Sequence, residues 1–350
     1  MQQIQPIRLE ASLHATIWGG RKLEQTGWKH LPTGEVAIGE AWETEVNTRA
    51  QNGANAGKTL GELVELFGVD ILGVDAVAIF GQRFPLLAKF IDARTKLSVQ
   101  VHPNDQYAQT HEQGKLGKTE CWYILATEPH AQIVHGFTAP ATHHEVQQAI
   151  EQVRLEDLLH TEPVSPGDVI LVPAGTVHAI GGGVLLYELQ EYSDITYRMY
   201  DYGRLDAQGN LRELHIERAL DVACYKPSAG IKMRPVTVVE SIAYRERCLV
   251  ACRYFVMREI VLHTQMEGNT SGSCLILSAL EANIRVHYGQ GLEQHEYLQR
   301  GQTMVLPAAL GQYLIEGQGT FLCSHVPASE DETWRLWREQ NSQHTSERKA

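Results

Sequence analysis

Ser165-Pro166-Gly167-Asp168-Val169-Ile170-Leu171-Val172-Pro173-Ala174-Gly175-Thr176-Val177-His178 is the stretch whose reading decides the fold. A Pro-Gly-Asp turn leads into four aliphatic residues, and Pro173 stops them, which describes a short strand between a turn and a break. The pattern returns as Gln299-Arg300-Gly301-Gln302-Thr303-Met304-Val305-Leu306-Pro307-Ala308. Repetition of one supersecondary unit points to two related β domains. Short β-branched and aromatic runs at 84–90, 97–101, 122–125, 131–134 and 184–189 alternate with glycine turns. That density of short strands favours a sandwich or barrel over a parallel α/β sheet. Helical spacing is clear in two places. Residues 59–68 have Thr59 to start and Gly68 to stop, and residues 142–160 open on a Thr142/Glu145 capping-box pattern.

The 350 residues exceed one typical domain and suit two packed units. With 30 Lys+Arg against 42 Asp+Glu, the net charge of −12 argues against nucleic acid or anionic lipid as partners. A chain 43% hydrophobic and 21% charged can bury a sizeable core. Its start lacks the features of a secretory signal, and no apolar run reaches the length of a membrane span. The six cysteines form no CxxC pair, so reduced thiols in a cytoplasmic protein are expected.

Chemistry concentrates in three places. In an extended Leu97–Pro103 stretch, Ser98, Gln100 and His102 project from one face. Alone, this pattern equally describes a half-buried strand with a polar side toward water. Glu120 stands at the mouth of an apolar run, and His178 just past another. Two imidazoles, a carboxylate and an amide oxygen form a donor set suited to Zn²⁺, with Mn²⁺ or Co²⁺ as substitutes. Residues 187–204 then interleave charged and aromatic side chains. Arg198 and Arg204 belong there to the residue type that grips phosphate through planar, paired hydrogen bonds, or else forms a salt-bridged rim.

The unit around residues 165–178 resembles the second motif of the cupin barrel, and the chain resembles a bicupin whose second copy has Gln312 in place of His178. Ile17-Trp18-Gly19-Gly20, Gly39-Glu40-Ala41-Trp42-Glu43, residues 84–93, Leu97–Pro103, Gly117-Lys118-Thr119-Glu120, residues 175–180 and residues 193–198 then match, in order, the short bacterial form of the type I mannose-6-phosphate isomerase (phosphomannose isomerase) family. This resemblance implies a mainly β fold of two cupin (jelly-roll) barrels with a few flanking helices. The expected division is 1–230 for the barrel with the site, 231–327 for a barrel without metal ligands, and 328–350 for a polar tail, read as a surface helix or frayed end.

The resemblance further implies one zinc ion per chain on Gln100, His102, Glu120 and His178. It implies Arg198, Lys118 and Glu188 as the catalytic residues, and Ser98, Arg204 and Trp18 as the substrate contacts. The implied reaction interconverts D-mannose 6-phosphate and D-fructose 6-phosphate through a cis-enediol, in mannose metabolism. Its proton carrier stays open between Glu188, Lys118 and a water at the metal. A small sugar phosphate is the expected partner, and a monomer or weak dimer the expected assembly. Rival readings keep the scaffold: an inactive sugar-phosphate-binding or regulatory bicupin, a cupin isomerase for a related sugar phosphate, or a cupin dioxygenase. The last commonly uses three histidines and a glutamate around iron, and Gln100 in place of a histidine disfavours it.

Overall fold

A computed structural model describes residues 4–34, 36–206, 209–328 and 331–341. The fold is mainly β. Among the described residues the hydrogen-bonded ladders form three sheets that pack face to face, and no ladder closes into a ring. One six-stranded sheet carries Ser12–Gly20, Ile38–Trp42, Leu86–Ala93, Val184–Glu191, Glu120–Thr127 and Val169–Val172 in that order. A five-stranded sheet carries Tyr197–Tyr200, Val99–Val101, His178–Ile180, Gln132–Phe137 and Leu159–Pro163. The remaining strands, all but one from residues 236–325, form a ten-stranded sheet. The exception is Ile7–Leu9, which pairs with Thr303–Leu306 and ties the start of the chain to its second half.

The six-stranded sheet is buried on both faces, so Leu86–Ala93 and Val184–Glu191 expose none of their residues. Alternation divides their side chains between two environments. Ala88, Phe90, Cys121, Tyr123, Leu185, Tyr187 and Leu189 pack toward the second half, against residues such as Val250, Met257, Ile276 and Leu322. Ile91, Trp122, Ile124, Val184 and Leu186 point the other way, into a core shared with Ile133 and Ile180 of the five-stranded sheet.

The sequence repeat is also a repeat of contacts. Gly167 N–H donates to Ile124 O (2.8 Å) and Gly301 N–H to Ala279 O (2.8 Å), while Ile124 N–H and Ala279 N–H donate to Asp168 O and Gln302 O. Each turn is closed by a side chain: Asp168 Oδ2 accepts from Ser165 N–H, and Gln302 Oε1 from Gln299 N–H. Gly167 and Gly301 both take positive φ (92° and 75°), which a side chain would strain. Following the same ladders outward, Glu120 pairs with Val172 as Leu275 pairs with Leu306, and Gln100 pairs with His178 as Asn269 pairs with Gln312. The second unit therefore holds Asn269, Leu275 and Gln312 where the first holds Gln100, Glu120 and His178.

Thr59 caps Leu60–Phe67 with Glu62 completing a capping box, and Gly68 ends the helix. The helix expected over 142–160 is shorter. Thr142 and Glu145 do form a capping box, but the helix is His143–Glu151. Val153 adopts φ 59° and faces solvent, after which Leu155–Leu158 forms a 3₁₀ turn and Leu159–Pro163 a strand. Helical spacing persisted past the break because Leu155 and Leu159 are buried in the same core as Val146 and Ile150.

In the polar tail, Glu332–Gln340 is a helix capped by Asp331, while residues 342–350 lie outside the described residues. Trp337 is buried and donates its indole N–H to Leu249 O at 3.2 Å. Asn341, fully buried, exchanges hydrogen bonds with the backbone of Arg234. Trp337 anchors this helix in the core, with Trp334 packed beside it. Trp337→Ala should lower stability by roughly 3–5 kcal/mol, read as a fall in the urea unfolding midpoint.

Candidate active site

Two facing rows of side chains build the site. Across the five-stranded sheet, Arg198 pairs with Gln100, Gln100 with His178 and His178 with His135, so these residues stand side by side. Across the six-stranded sheet, Trp42 pairs with Lys89, Lys89 with Glu188 and Glu188 with Trp122. Between the rows lies a cavity of about 340 Å³, in the range of small-ligand sites. Its lining includes Trp18, Ser98, Gln100, Lys118, Glu188 and Arg198 among the residues anticipated from sequence, and Glu40, Lys89 and Arg212 among those that were not.

His102, Glu120 and His178 converge. Their ligand atoms all lie within 4.8 Å of one another, the one such group that could hold a metal among the described residues. His102 Nδ1 contacts Ile195 O (2.7 Å) and His178 Nδ1 contacts Thr176 O (2.8 Å). A carbonyl only accepts, so both Nδ1 atoms carry the proton and both Nε2 atoms present lone pairs. Those Nε2 atoms each lie 3.4 Å from a Glu120 oxygen. His102 Nε2 is buried with no hydrogen-bond partner and its lone pair aimed at Glu120, the arrangement expected of a donor atom that awaits a cation. Gln100 places its amide nitrogen 3.4 Å from His178 Nε2, and a half-turn of that amide presents the oxygen instead.

Protonation states also suit a metal. Burial pushes His102 down to about 3, helped by the nearby Lys118 charge, and burial lowers His178 as well. For Glu120, burial favours the neutral acid, but Lys118 and His102 outweigh it and hold the carboxyl well below the usual range. Two neutral imidazoles and one carboxylate are the forms a metal binds.

Lys118 Nζ sits 3.0 Å from Glu120 Oε2. The backbone carrying both is clamped: Gly117 N–H donates to Asp105 Oδ1 (2.9 Å), Lys118 N–H to Pro103 O (3.0 Å) and Thr119 N–H to Glu191 Oε1 (2.7 Å). A Cβ on Gly117 would come within 2.5 Å of the Asn104–Asp105 backbone, so the segment depends on glycine there. From the second half, Tyr254 donates its hydroxyl to the other oxygen of Asp105 at 2.9 Å.

Glu188 is buried between Lys89 Nζ (3.1 Å) and the Trp122 indole N–H (3.0 Å). Burial and the Glu120 charge raise its carboxyl above the ordinary range, against the pull of Lys89. Lys89 also lies 3.7 Å from Glu40, which accepts the Trp42 indole N–H. Arg204 does not line the cavity. Its guanidinium donates to Lys96 O and Asp201 and lies over the Tyr202 ring.

The family model "Phosphomannose isomerase type I, catalytic domain" matches residues 7–155. Mannose-6-phosphate isomerase ManA of Bacillus subtilis (strain 168) is 38% identical over 331 residues, covering 92% of this chain and 99% of its own. The chain belongs to the type I phosphomannose isomerases. A mannose-6-phosphate isomerase of Streptococcus mutans serotype c is 34% identical over 92% of this chain and 98% of its own. The crystal structure of the Bacillus subtilis mannose 6-phosphate isomerase superimposes with a TM-score of 0.83 at 34% identity, over 92% of this chain and 99% of that one.

Lys89, Glu40 and Arg212 escaped the sequence reading. The available signal was charge inside apolar strands: Lys89 interrupts Leu86-Leu87-Ala88 and Phe90-Ile91, where burial without a partner is costly.

The depressed imidazoles set a pH dependence for the metal-free protein. The unfolded chain takes up a proton near pH 6.5 that native His102 refuses until about 3. The unfolded state thus binds more protons as pH falls through that interval, and stability is lost by at most about 1.4 kcal/mol per unit for each such histidine. Urea midpoints in EDTA should fall from pH 7 to 4, and His102→Gln should flatten that slope.

Proposed function

We propose that the site interconverts D-mannose 6-phosphate and D-fructose 6-phosphate with zinc held by Gln100, His102, Glu120 and His178. The observation that carries this reading is the facing pair of rows. A guanidinium and a buried carboxyl raised above its ordinary range line one cavity, and the metal-ready His–Glu–His group adjoins it through Gln100 and Lys118.

Bound there, the ion would supply Lewis-acid stabilisation of charge developing on the substrate's hydroxyl and carbonyl oxygens. The protein's own residues do the rest. Glu188 is the proton carrier between C1 and C2, because burial tunes its carboxyl upward toward the range where one group can both accept and return a proton. Lys89 and Trp122 hold its two oxygens and fix its orientation. Lys118, fixed by the clamp on residues 117–119, places a cation beside the oxygens of the enediol, and Arg198 lies farther along the row for the substrate's anionic end. Ser98 and Trp18 complete the wall. Arg204 supports the pocket from outside by holding Asp201.

Purified protein stripped with a chelator should lose mannose 6-phosphate isomerisation and regain it with Zn²⁺ in a coupled assay. Glu188→Gln should lower kcat by roughly 10²- to 10⁴-fold while KM changes little. Failure to turn over with any divalent metal would refute the reaction. Full activity in Glu188→Gln would remove its assigned role.

A further inference from the structure

Resting on the isomerase reading above, we propose that Arg212 is a phosphate-binding residue of the substrate pocket, presented by Asp201 as its positioning residue.

Arg212 lines the cavity together with Arg198, Thr196 and Ser98. Its Nε donates to Asp201 Oδ2 at 2.7 Å and its Nη2 to Asp201 Oδ1, a side-on fork that uses one edge of the guanidinium. Nη1 has no protein acceptor among the described residues, and the second proton of Nη2 is also free of this fork. Asp201 is itself buried, so the fork fixes the plane of the Arg212 guanidinium. Arg198 stands next to it. Arg198 Nη1 donates to the carbonyl of Glu213, the residue after Arg212, at 2.7 Å, and His215 N–H donates to Arg198 O at 2.8 Å. The 212–215 run therefore flanks the strand of Arg198, and the two guanidiniums face the same space. Arg198 Nε is buried without a partner.

Two neighbouring guanidiniums with unmet donors call for an anion with several acceptor oxygens. Arg204, at the opposite foot of the Leu205–Leu211 turn, does not line the cavity, and three of its five N–H donors are engaged by Asp201 and Lys96 O. The spacing suits a sugar phosphate. Arg198 lies two strands from His178 in one row, about 10 Å at ~4.8 Å per strand. The phosphate on C6 can thus sit at the arginine end while C1 and C2 reach the His–Glu–His end.

The test compares wild-type holoenzyme with Arg212→Gln, Arg212→Lys and, as a charge control, Arg154→Gln on the surface. KM for mannose 6-phosphate and competitive inhibition by inorganic phosphate are measured for each. Arg212→Gln should raise both constants roughly 10- to 100-fold, with kcat within about threefold. Arg212→Lys should recover part of that loss, and Arg154→Gln none of the effect. Unfolding midpoints identify a misfolded variant, and the lysine variant then carries the comparison. Unchanged KM and phosphate inhibition in a folded Arg212→Gln, or a loss confined to kcat, overturns the proposal. Calorimetric titration of inorganic phosphate into the zinc-loaded protein gives the same comparison without turnover. A wild-type protein that binds phosphate through Arg212 but fails to isomerise would sink the isomerase reading and leave this one standing.

Discussion

The register of the Val184–Glu191 strand against its two neighbours is the constraint on which the rest depends. It sets Glu188 opposite Lys89 on one side and Trp122 on the other, with Gln190 opposite Glu120. Because the period of a strand is two residues, a slip by one position would turn every one of these side chains to the other face. That face is the apolar interface with the second half, where Leu185, Tyr187 and Leu189 pack. A slipped strand would bury Glu188 among aliphatic residues and bring those three into the polar cavity. Both errors carry a large desolvation or packing cost, so the hydrophobic pattern of the outer face enforces the chemistry of the inner one.

This explains a task for the second unit that needs no ligand. Its residues at the positions equivalent to Gln100, Glu120 and His178 are Asn269, Leu275 and Gln312, and its interior is filled by Met266, Leu277, Met304 and Tyr313. What it contributes is an apolar platform for the six-stranded sheet, joined by polar ties. Tyr187 hydroxyl meets Ser278, Ser278 meets Thr303, and Thr303 donates to Glu43, which is paired with Lys29 at 2.7 Å. Tyr254 adds a tie to Asp105 at the base of the Lys118 segment. A buried ion pair is weak evidence for net stability, and what the chain supplies is hydrogen-bond partners for polar groups buried between the two units.

What the sequence disclosed follows the same physics. Gln100 and His102 were legible because they share one strand face within three residues, and His178 because it follows a turn–strand–proline unit that repeats. The capping boxes at Thr59 and Thr142 were legible because they are local. Lys89, Glu40 and Arg212 were not, since their meaning lies in partners that only the folded chain brings beside them: Glu188 for Lys89, Lys89 for Glu40, Asp201 across a turn for Arg212. The end of the helix at Glu151 was hidden because apolar spacing continued into a 3₁₀ turn and a strand that share its core.

The charge of the cavity refines what the chain's net charge of −12 can mean. Its lining sets Lys89, Lys118, Arg198 and Arg212 against Glu40, Glu188 and Asp194, and the adjoining Glu120 makes the count 4 − 4 = 0. The pocket is balanced in sum and divided in space. Lys89 and Lys118 are tied to Glu40, Glu188 and Glu120 at one end, within 3.7 Å or less. At the other end Asp201 answers part of the arginine charge from behind, and Asp194 pairs outward with Lys115 at 2.9 Å. A ligand with a dianion at one terminus and a reacting aldehyde or ketone at the other meets complementary surroundings at both. A cavity of uniform positive charge would bind a phosphate anywhere along its length, whereas in the proposed reaction this division favours the orientation that brings the carbonyl to the His–Glu–His group.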